Sequence, residues 1–509
     1  MLEPPNNLLD DAPLRAEISG VIVPLSLPAL LVALSADQVT QLPGLQAHQE
    51  HAWFAFMVQV AAMALRRAGL GAPPKDAAAW RAPLLTLTNG DLGAWSLVRG
   101  DLTAPAFLQP PVPEGSISAW KNVLPTPDTL DLLVTAKNHD VKGQRIGAAR
   151  PEHWIYALVS LQTMEGYSGP KNYGILRMNS GFGNRPFVAR ASGLRLGARF
   201  VDDVQALLET RAKVLDLGLY QPEGGLAFAA LPPWDGKTSL SPATLDPYFV
   251  ECCRRVRLAQ TARGIEARMA PSDCPRVRGP AELLSVGDPW TPINIADGKP
   301  LTVSAKGFHY SVVHKLLISG DFSPPPSMAE GADKHLFMAQ ALVRGQGKTE
   351  GLHERVVPIP PAVVKRLRHQ PGERERLGEL SKRQIEEIEL VRLSVLRPAL
   401  RMLLDGGESR GLRQDSRPDR WVTAFDQAVD ARFFEILWKR AQDDTEQATR
   451  DWLEILKELA RAQLELAIKS APIPLTRRYK AISVADRVFE GSFRKKFAQQ
   501  LKEPDHVQP

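Results

Sequence analysis

Cysteine is almost missing from this 509-residue chain: only Cys252, Cys253 and Cys274 occur, and no C-x-x-C pair is among them. Three thiols, two of them adjacent, make neither a disulfide framework nor a four-ligand zinc site, and they suit a reducing compartment. No basic-then-apolar leader opens the sequence. The apolar run from Val21 to Leu34 contains two prolines and stops short of membrane-spanning length, so a cytoplasmic protein away from any membrane is expected. Motifs of local chemistry are equally scarce. There is no G-x-x-x-x-G-K-[ST], no strand–G-x-G-x-x-G–helix pattern, and no H-x-x-x-H, G-x-S-x-G or H-E-x-x-H, which argues against the usual nucleotide, zinc-hydrolase and serine-hydrolase sites.

Other catalytic arrangements fare no better. Adjacent acids such as Asp202-Asp203 and Asp443-Asp444 tend to point apart and chelate poorly. The His139-Asp140 pair has no further ligand assigned to it, and His353 with Glu350 or Glu354 has neither a nucleophile nor a metal set at usable spacing. His48 and His51, at i,i+3, read as partly buried helix-end histidines. No catalytic residue, metal or cofactor is assigned, and a binding or scaffold role is expected rather than an enzyme.

What is present describes an ordinary globular protein: 44% apolar residues, 24% charged residues and a net charge of +6, a modest basic bias compatible with an anionic partner. Ten tryptophans outnumber seven tyrosines and point to large buried faces. The length allows two or three domains. A helix is expected to start near Leu25–Pro28 with Ser26 or its neighbour as its cap, a strongly apolar one over 48–68, another over 151–162 and one over 203–217. Short strands are expected at 84–87 and 95–98, an extended run at 187–202 and a β-rich segment at 283–305. Beyond Pro360, apolar residues recur every three or four positions over 381–405, 421–441, 446–470 and 475–502, the pattern of four long helices in a bundle, with Pro398 able to kink the first.

The polar loops stand out. Gly166 to Pro186, GYSGPKNYGILRMNSGFGNRP, holds five glycines, two prolines, Lys171, Arg177 and Arg185. Two readings stand side by side for it: a structural glycine-rich loop with solvated cations, or a cradle for phosphate or another anionic polymer. Ahead of the 151–162 helix lies Lys137-Asn138-His139-Asp140-Val141-Lys142-Gly143. A second concentration, RGQGKTEGLHER, runs from Arg344 to Arg355. Basic clusters at Arg477, Arg478 and Lys480 and in SFRKKF could rest on nucleic acid or be solvated.

In order along the chain, NLLDD at Asn7 to Asp11, HAWFAFMVQVAAMAL, HDVKG, the glycine stretch, GDPWTPI at Gly287 to Ile293 and YKAISVADRVFEGSF make it resemble the large subunit of the type I-E CRISPR Cascade complex, the CasA (Cse1, Cas8e) family. The resemblance implies an α+β protein: a large mixed α/β domain, 1–362, followed by a C-terminal four-helix bundle, 363–509. It implies a non-catalytic subunit that joins the Cas5, Cas7, Cse2 and Cas6 subunits and the crRNA. Such a subunit reads the protospacer-adjacent motif (PAM) of target double-stranded DNA, helps start unwinding and R-loop formation, and recruits the Cas3 helicase–nuclease in antiviral defence. By position, Lys137, Asn138, His139 and Lys142 would form the crRNA-end loop. Gly166 and Gly169, with Lys171 and Asn172, would read the PAM, with Asn179 to Gly183 the second candidate stretch. Lys306 would supply a lysine contact, Gln346 part of the wedge, and Lys348 would stand beside it. Phosphate contacts would come from Lys137, Lys142, Arg177 and Arg185. The alternatives are a nucleic-acid-processing enzyme and a purely structural adaptor of a nucleoprotein complex.

Overall fold

The computed structural model describes residues 6–501 except 134–145, 147, 179–183, 332, 346–347, 409–415 and 444. The chain forms two compact units, Met1–Phe308 with Asp321–Pro358, and His309–Gly320 with Ile359–Pro509. The first is a mixture of helices and small sheets, and the second is helical in its described residues.

The first unit opens with β1 (Leu14–Ile18) and β2 (Val21–Leu25), paired antiparallel, then α1 (Leu27–Ser35) and β3 (Val39–Gln41), which pairs with the other side of β1. Ser26 caps α1 by accepting from the Ala29 N–H, and Pro28 sits in the first turn, where no amide hydrogen is needed. The core helix is α2 (Glu50–Arg67). Its residues from His51 to Leu65 are all buried, as expected of a helix apolar on every face. Trp53 stacks on Phe56, which meets Phe107 edge-on, and Phe107, Trp95 and Phe228 continue the aromatic packing. His51 lies in this interior. Burial, with Arg185 and His48 nearby, pushes its pKa down to about 3, and it acts as a neutral packing group. His48 is also buried and pairs with Asp131 at 2.7 Å.

Then follow α3 (Ala77–Thr86), β4 (Asn122–Leu124), α4 (Pro127–Leu130), α5 (Pro151–Met164), β5 (Phe187–Ala191), α6 (Leu196–Leu215), β6 (Leu226–Phe228), β7 (Leu245–Val250), β8 (Arg255–Thr261), β9 (Gly264–Ala270) and β10 (Ile293–Asn294). The strand expected at 84–87 is the end of α3, which Asp76 caps, and Trp95 lies in a 3-10 turn. Short apolar runs do not separate strand from buried helix. The extended run expected at 187–202 stops at Ala191, and α6 begins at Leu196 rather than near 203. The only strand assigned in 283–305 is β10.

GDPWTPI is a structural node. The Trp290 carbonyl accepts from the Val188 N–H, its amide donates to Asp288, its ring stacks on Phe187 at 4.9 Å, and its indole N–H donates to Asp203 at 2.7 Å. The neighbouring acids Asp202 and Asp203 do point apart, Asp202 taking the Ser192 amide and hydroxyl instead.

The second unit starts with α7 (Tyr310–Leu317). Tyr310 donates its amide to Asp430 and its hydroxyl to Asp426, and its ring stacks on Phe433 at 4.6 Å. Within the first unit lie β11 (Phe322–Ser323) and the long antiparallel pair β12 (Leu336–Gly345) and β13 (Lys348–Pro358), with β5 on the far side of β12. The second unit resumes with α8 (Pro361–His369), α9 (Glu373–Leu390), a π-helical segment (Val391–Leu396) and α10 (Arg397–Leu404), then α11 (Asp419–Asp430), α12 (Phe433–Gln442), α13 (Glu446–Ser470) and α14 (Leu475–Lys496). The π segment ends just before Pro398, which cannot donate into a regular ladder. α13 buries Trp452, Leu453, Leu456, Ala460 and Leu464, and α14 buries Ala481, Ala485, Phe489 and Phe493, each set a stripe at helical spacing. Arg461 bridges the two helices, 2.6 Å from Asp486 and 2.5 Å from Glu490.

Asp203 gives the first unit a measurable pH signature. Burial raises its pKa to about 6, while the Trp290 N–H and Arg199 act the other way. Because the folded value exceeds the ordinary 3.8, its stabilising contribution is complete below about pH 4 and is lost as pH rises through 6, a difference of roughly 3 kcal/mol. Asp203→Asn keeps an acceptor for Trp290. Thermal melts from pH 5 to 8 are expected to show a smaller loss of Tm in the variant than in the wild type; parallel profiles would refute this assignment.

Candidate functional site

The glycine stretch leaves α5 through Glu165, which has extended backbone (φ −83, ψ 128), and returns beside itself. The Ile175 N–H donates to the Glu165 carbonyl, Ser168 N–H to Asn172, and Asn172 N–H to Gly169. Gly169-Pro170-Lys171-Asn172 is thus a turn with proline at its second position and Lys171 at φ +65 in its third, type II geometry. A positive φ strains a lysine by about 1–2 kcal/mol. Tertiary contacts hold it there: the Lys171 carbonyl accepts from the Ser272 N–H at 3.0 Å, and its ammonium lies 3.5 Å from Asp273. Lys171 itself is exposed, as are Tyr167 and Ser168. Two of the glycines serve each other. A Cβ at Gly174 would fall 2.7 Å from the Gly166 Cα, whereas Gly169 has open space around it.

A buried guanidinium supports this loop. Arg254 donates to the carbonyls of Tyr173 and Gly166 and to the Ser168 hydroxyl, and lies 3.5 Å from Glu165. The Gln162 side chain holds Arg254 in turn, accepting from the amides of Cys253 and Arg254 and donating to the Arg254 carbonyl. Cys252 and Cys253 are buried free thiols, both raised in pKa by burial, Cys252 to about 12. Among the described residues no group of three His, Cys, Asp or Glu side chains could hold a metal.

Arg177 and Arg185 require a correction. The Arg177 side chain is fully buried, 4.4 Å over the Phe249 ring, 3.3 Å from Glu251 and 3.9 Å from Asp288. Arg185 is 1% exposed; its Nε and Nη2 donate to the two oxygens of Asp288 at 2.5 and 3.3 Å. Neither has surface to offer a phosphate. Both are internal ion pairs, which a cation count along the chain cannot tell from a surface patch. Residues 179–183, with Asn179 and Gly183, lie outside the described residues, as do Lys137, Asn138, His139 and Lys142.

The structure brings two further segments towards this loop. β12 and β13 pair from Leu336↔Pro358 to Gly345↔Lys348, with a bulge between Val343 and Arg344. Gln346 lies outside the described residues. Lys348 is exposed, 3.4 Å from Glu350. Arg344, on β12, lies 2.6 Å from Glu165 and ties the hairpin to the root of the glycine loop. Lys306 is exposed on a turn closed by Gly307 N–H to Ser304. Gly307 (φ +65) packs on β13 so closely that a Cβ would lie 2.5 Å from His353 Nδ1. The Asn184 side chain, directly after the undescribed glycines, donates to the Val303 carbonyl and accepts its amide. Gly166, Gly169, Lys171, Asn172, Lys306 and Lys348 therefore belong to loops joined through one hairpin. Arg278, which sequence reasoning passed over, is exposed on a cavity of about 470 Å³ shared with Tyr173 and Leu176 beside the loop. Nothing in its local sequence marked it.

No protein-family model matches the chain, and no curated protein matches it in sequence. Solved structures do resemble its fold. Thermobifida fusca Cse1 is 14% identical with a TM-score of 0.67, covering 97% of this chain and 98% of its own. Cse1 from Acidimicrobium ferrooxidans is 13% identical with a TM-score of 0.62 over 99% and 100%. Thermus thermophilus CasA (Cse1) is 14% identical with a TM-score of 0.60 over 96% and 99%. The likeness establishes a Cse1-like fold over nearly the whole length. Among the described residues no helix is long and apolar enough to cross a membrane.

Arg254 offers a direct test of loop rigidity. Arg254→Met removes the donors to Gly166, Ser168 and Tyr173 and should cost about 3 kcal/mol. Tryptic cleavage after Lys171 should accelerate in the variant well beyond its change in global unfolding; unchanged cleavage would show that Arg254 does not hold the loop.

Proposed function

We propose that the chain is the large, non-catalytic subunit of a type I-E CRISPR Cascade complex and a member of the CasA family, which recognises the PAM of target double-stranded DNA. The observation that carries this reading is the junction of the Gly166–Asn172 loop and the β12–β13 hairpin at Glu165, on a fold like that of Cse1 structures. The minor groove is narrow and its code degenerate, so a small turn with an open glycine suits it better than bulky side chains. Gly169 and Asn172 meet the groove, Lys171, Lys306 and Lys348 meet phosphates, and Gln346 enters the duplex at the hairpin end. Opening the first base step opposes stacking of roughly 1–2 kcal/mol, so guide pairing must hold the opened strands. The loop at Lys137–Lys142 takes the crRNA end. The first 362 residues carry these loops, and the helices of residues 363–509 join the subunit to its neighbours. The Cas5, Cas7, Cse2 and Cas6 subunits are the assembly partners, and the Cas3 helicase–nuclease is recruited to cut.

Fluorescence anisotropy of the assembled complex with PAM and scrambled-PAM duplexes tests the reading; equal affinity for both would end it. The phosphate role has its own signature. Lys171→Ala, Lys306→Ala and Lys348→Ala should each weaken PAM and scrambled duplexes alike and reduce the slope of log K against log salt by about 1. A loss restricted to PAM duplex, or an unchanged slope, would remove that lysine from the phosphate contacts.

A further inference from the structure

We infer that Glu165 is a positioning residue that couples the PAM-reading loop to the strand-opening hairpin, an assignment that rests on the function proposed above. Glu165 is where the two elements share a side chain. Its Oε1 lies 2.6 Å from Arg344 Nη1 and 3.5 Å from Arg254 Nη2, and the carboxylate is only 5% exposed. Arg344 adjoins the β12 bulge and the last described pair of the ladder, Gly345↔Lys348, while Arg254 donates to the loop's carbonyls. The Glu165 carbonyl also closes the loop by accepting from Ile175. Charges so little exposed are weakly screened, so both guanidinium groups are held against the one carboxylate they share.

The hairpin therefore cannot slide along the duplex without moving the root of the loop or breaking the Arg344 pair. A loop seated on its PAM fixes where the hairpin end meets the first protospacer base pair. PAM recognition and strand opening then become one positioned event, since a misplaced wedge gains nothing from a correctly read motif.

The experiment uses the assembled complex and three duplexes: PAM, scrambled PAM, and PAM followed by mismatched, already open protospacer pairs. Arg344→Met, Glu165→Gln and the double variant are compared with wild type after a melting check. Arg344→Met leaves the Glu165–Arg254 pair intact and keeps the test open should Glu165→Gln fold poorly. Affinity for the closed PAM duplex is expected to fall about tenfold in Arg344→Met, the equivalent of one base step, while the pre-opened duplex stays within about twofold. The double variant should be no worse than the more affected single variant, as for two residues acting through one contact. Equal losses on closed and pre-opened duplexes would reveal a merely structural pair and overturn the assignment, as would no loss on either. If wild type itself fails to separate PAM from scrambled duplex, the functional reading fails first and this assignment falls with it.

Discussion

Buried guanidinium groups hold the irregular backbone of the first unit in place. Long stretches of this unit lie outside helices and strands, and every carbonyl buried there needs a donor. Arginine carries five donors on a rigid plane. Arg257 donates to the carbonyls of Arg99, Asp101, Ala104 and Gln109, and Arg276 to those of Ala229, Pro232 and Pro233. Arg254 does the same for Gly166 and Tyr173. Burial pulls the pKa of Arg257 down to about 10, a measure of the desolvation that these carbonyls must offset. Where the guanidinium meets an acid instead, as Arg185 meets Asp288, the pair joins the glycine stretch to the GDPWTPI node.

This arrangement divides the basic residues of the site by chemistry. The arginines Arg177, Arg185 and Arg254 face inward, where planar, fixed donors satisfy fixed acceptors. The lysines Lys171, Lys306 and Lys348 face outward, where a mobile, well-hydrated point charge can meet a phosphate without dictating base sequence. The net charge of +6 therefore says little about these loops, where three exposed lysines stand beside inward-facing arginines.

Much of the helical framework was legible in the sequence. Ser26 and Pro28 announced α1, and the periodic runs of α2, α5, α13 and α14 lie where the pattern placed them, because long periodic segments leave little choice of burial. α3 was misread as strand because LLTL is short and apolar. The 166–186 stretch was legible as loop, but not the fate of its cations: Arg177 and Arg185 acquire their acids from residues 251 and 288, far along the chain. The same distance hid the junction at Glu165, whose partners are residues 254 and 344. β13 lies at the edge of its sheet, and Lys348, Glu350 and Glu354 on it are exposed.

Glycine content likewise overstated how much of the loop is open to a ligand. A Cβ at Gly174 would meet the Gly166 backbone, whereas Gly169 at the turn has free space around it. The residue two positions on is the more telling one. A type II turn prefers glycine or asparagine at its third position, yet lysine stands there at φ +65. Strain kept at the outermost point of a loop, and held by the Ser272 amide and Asp273, gives no benefit to packing, because the side chain is exposed. What it does provide is a positive charge next to the open glycine, at the height of the turn and on a backbone that Arg254 immobilises.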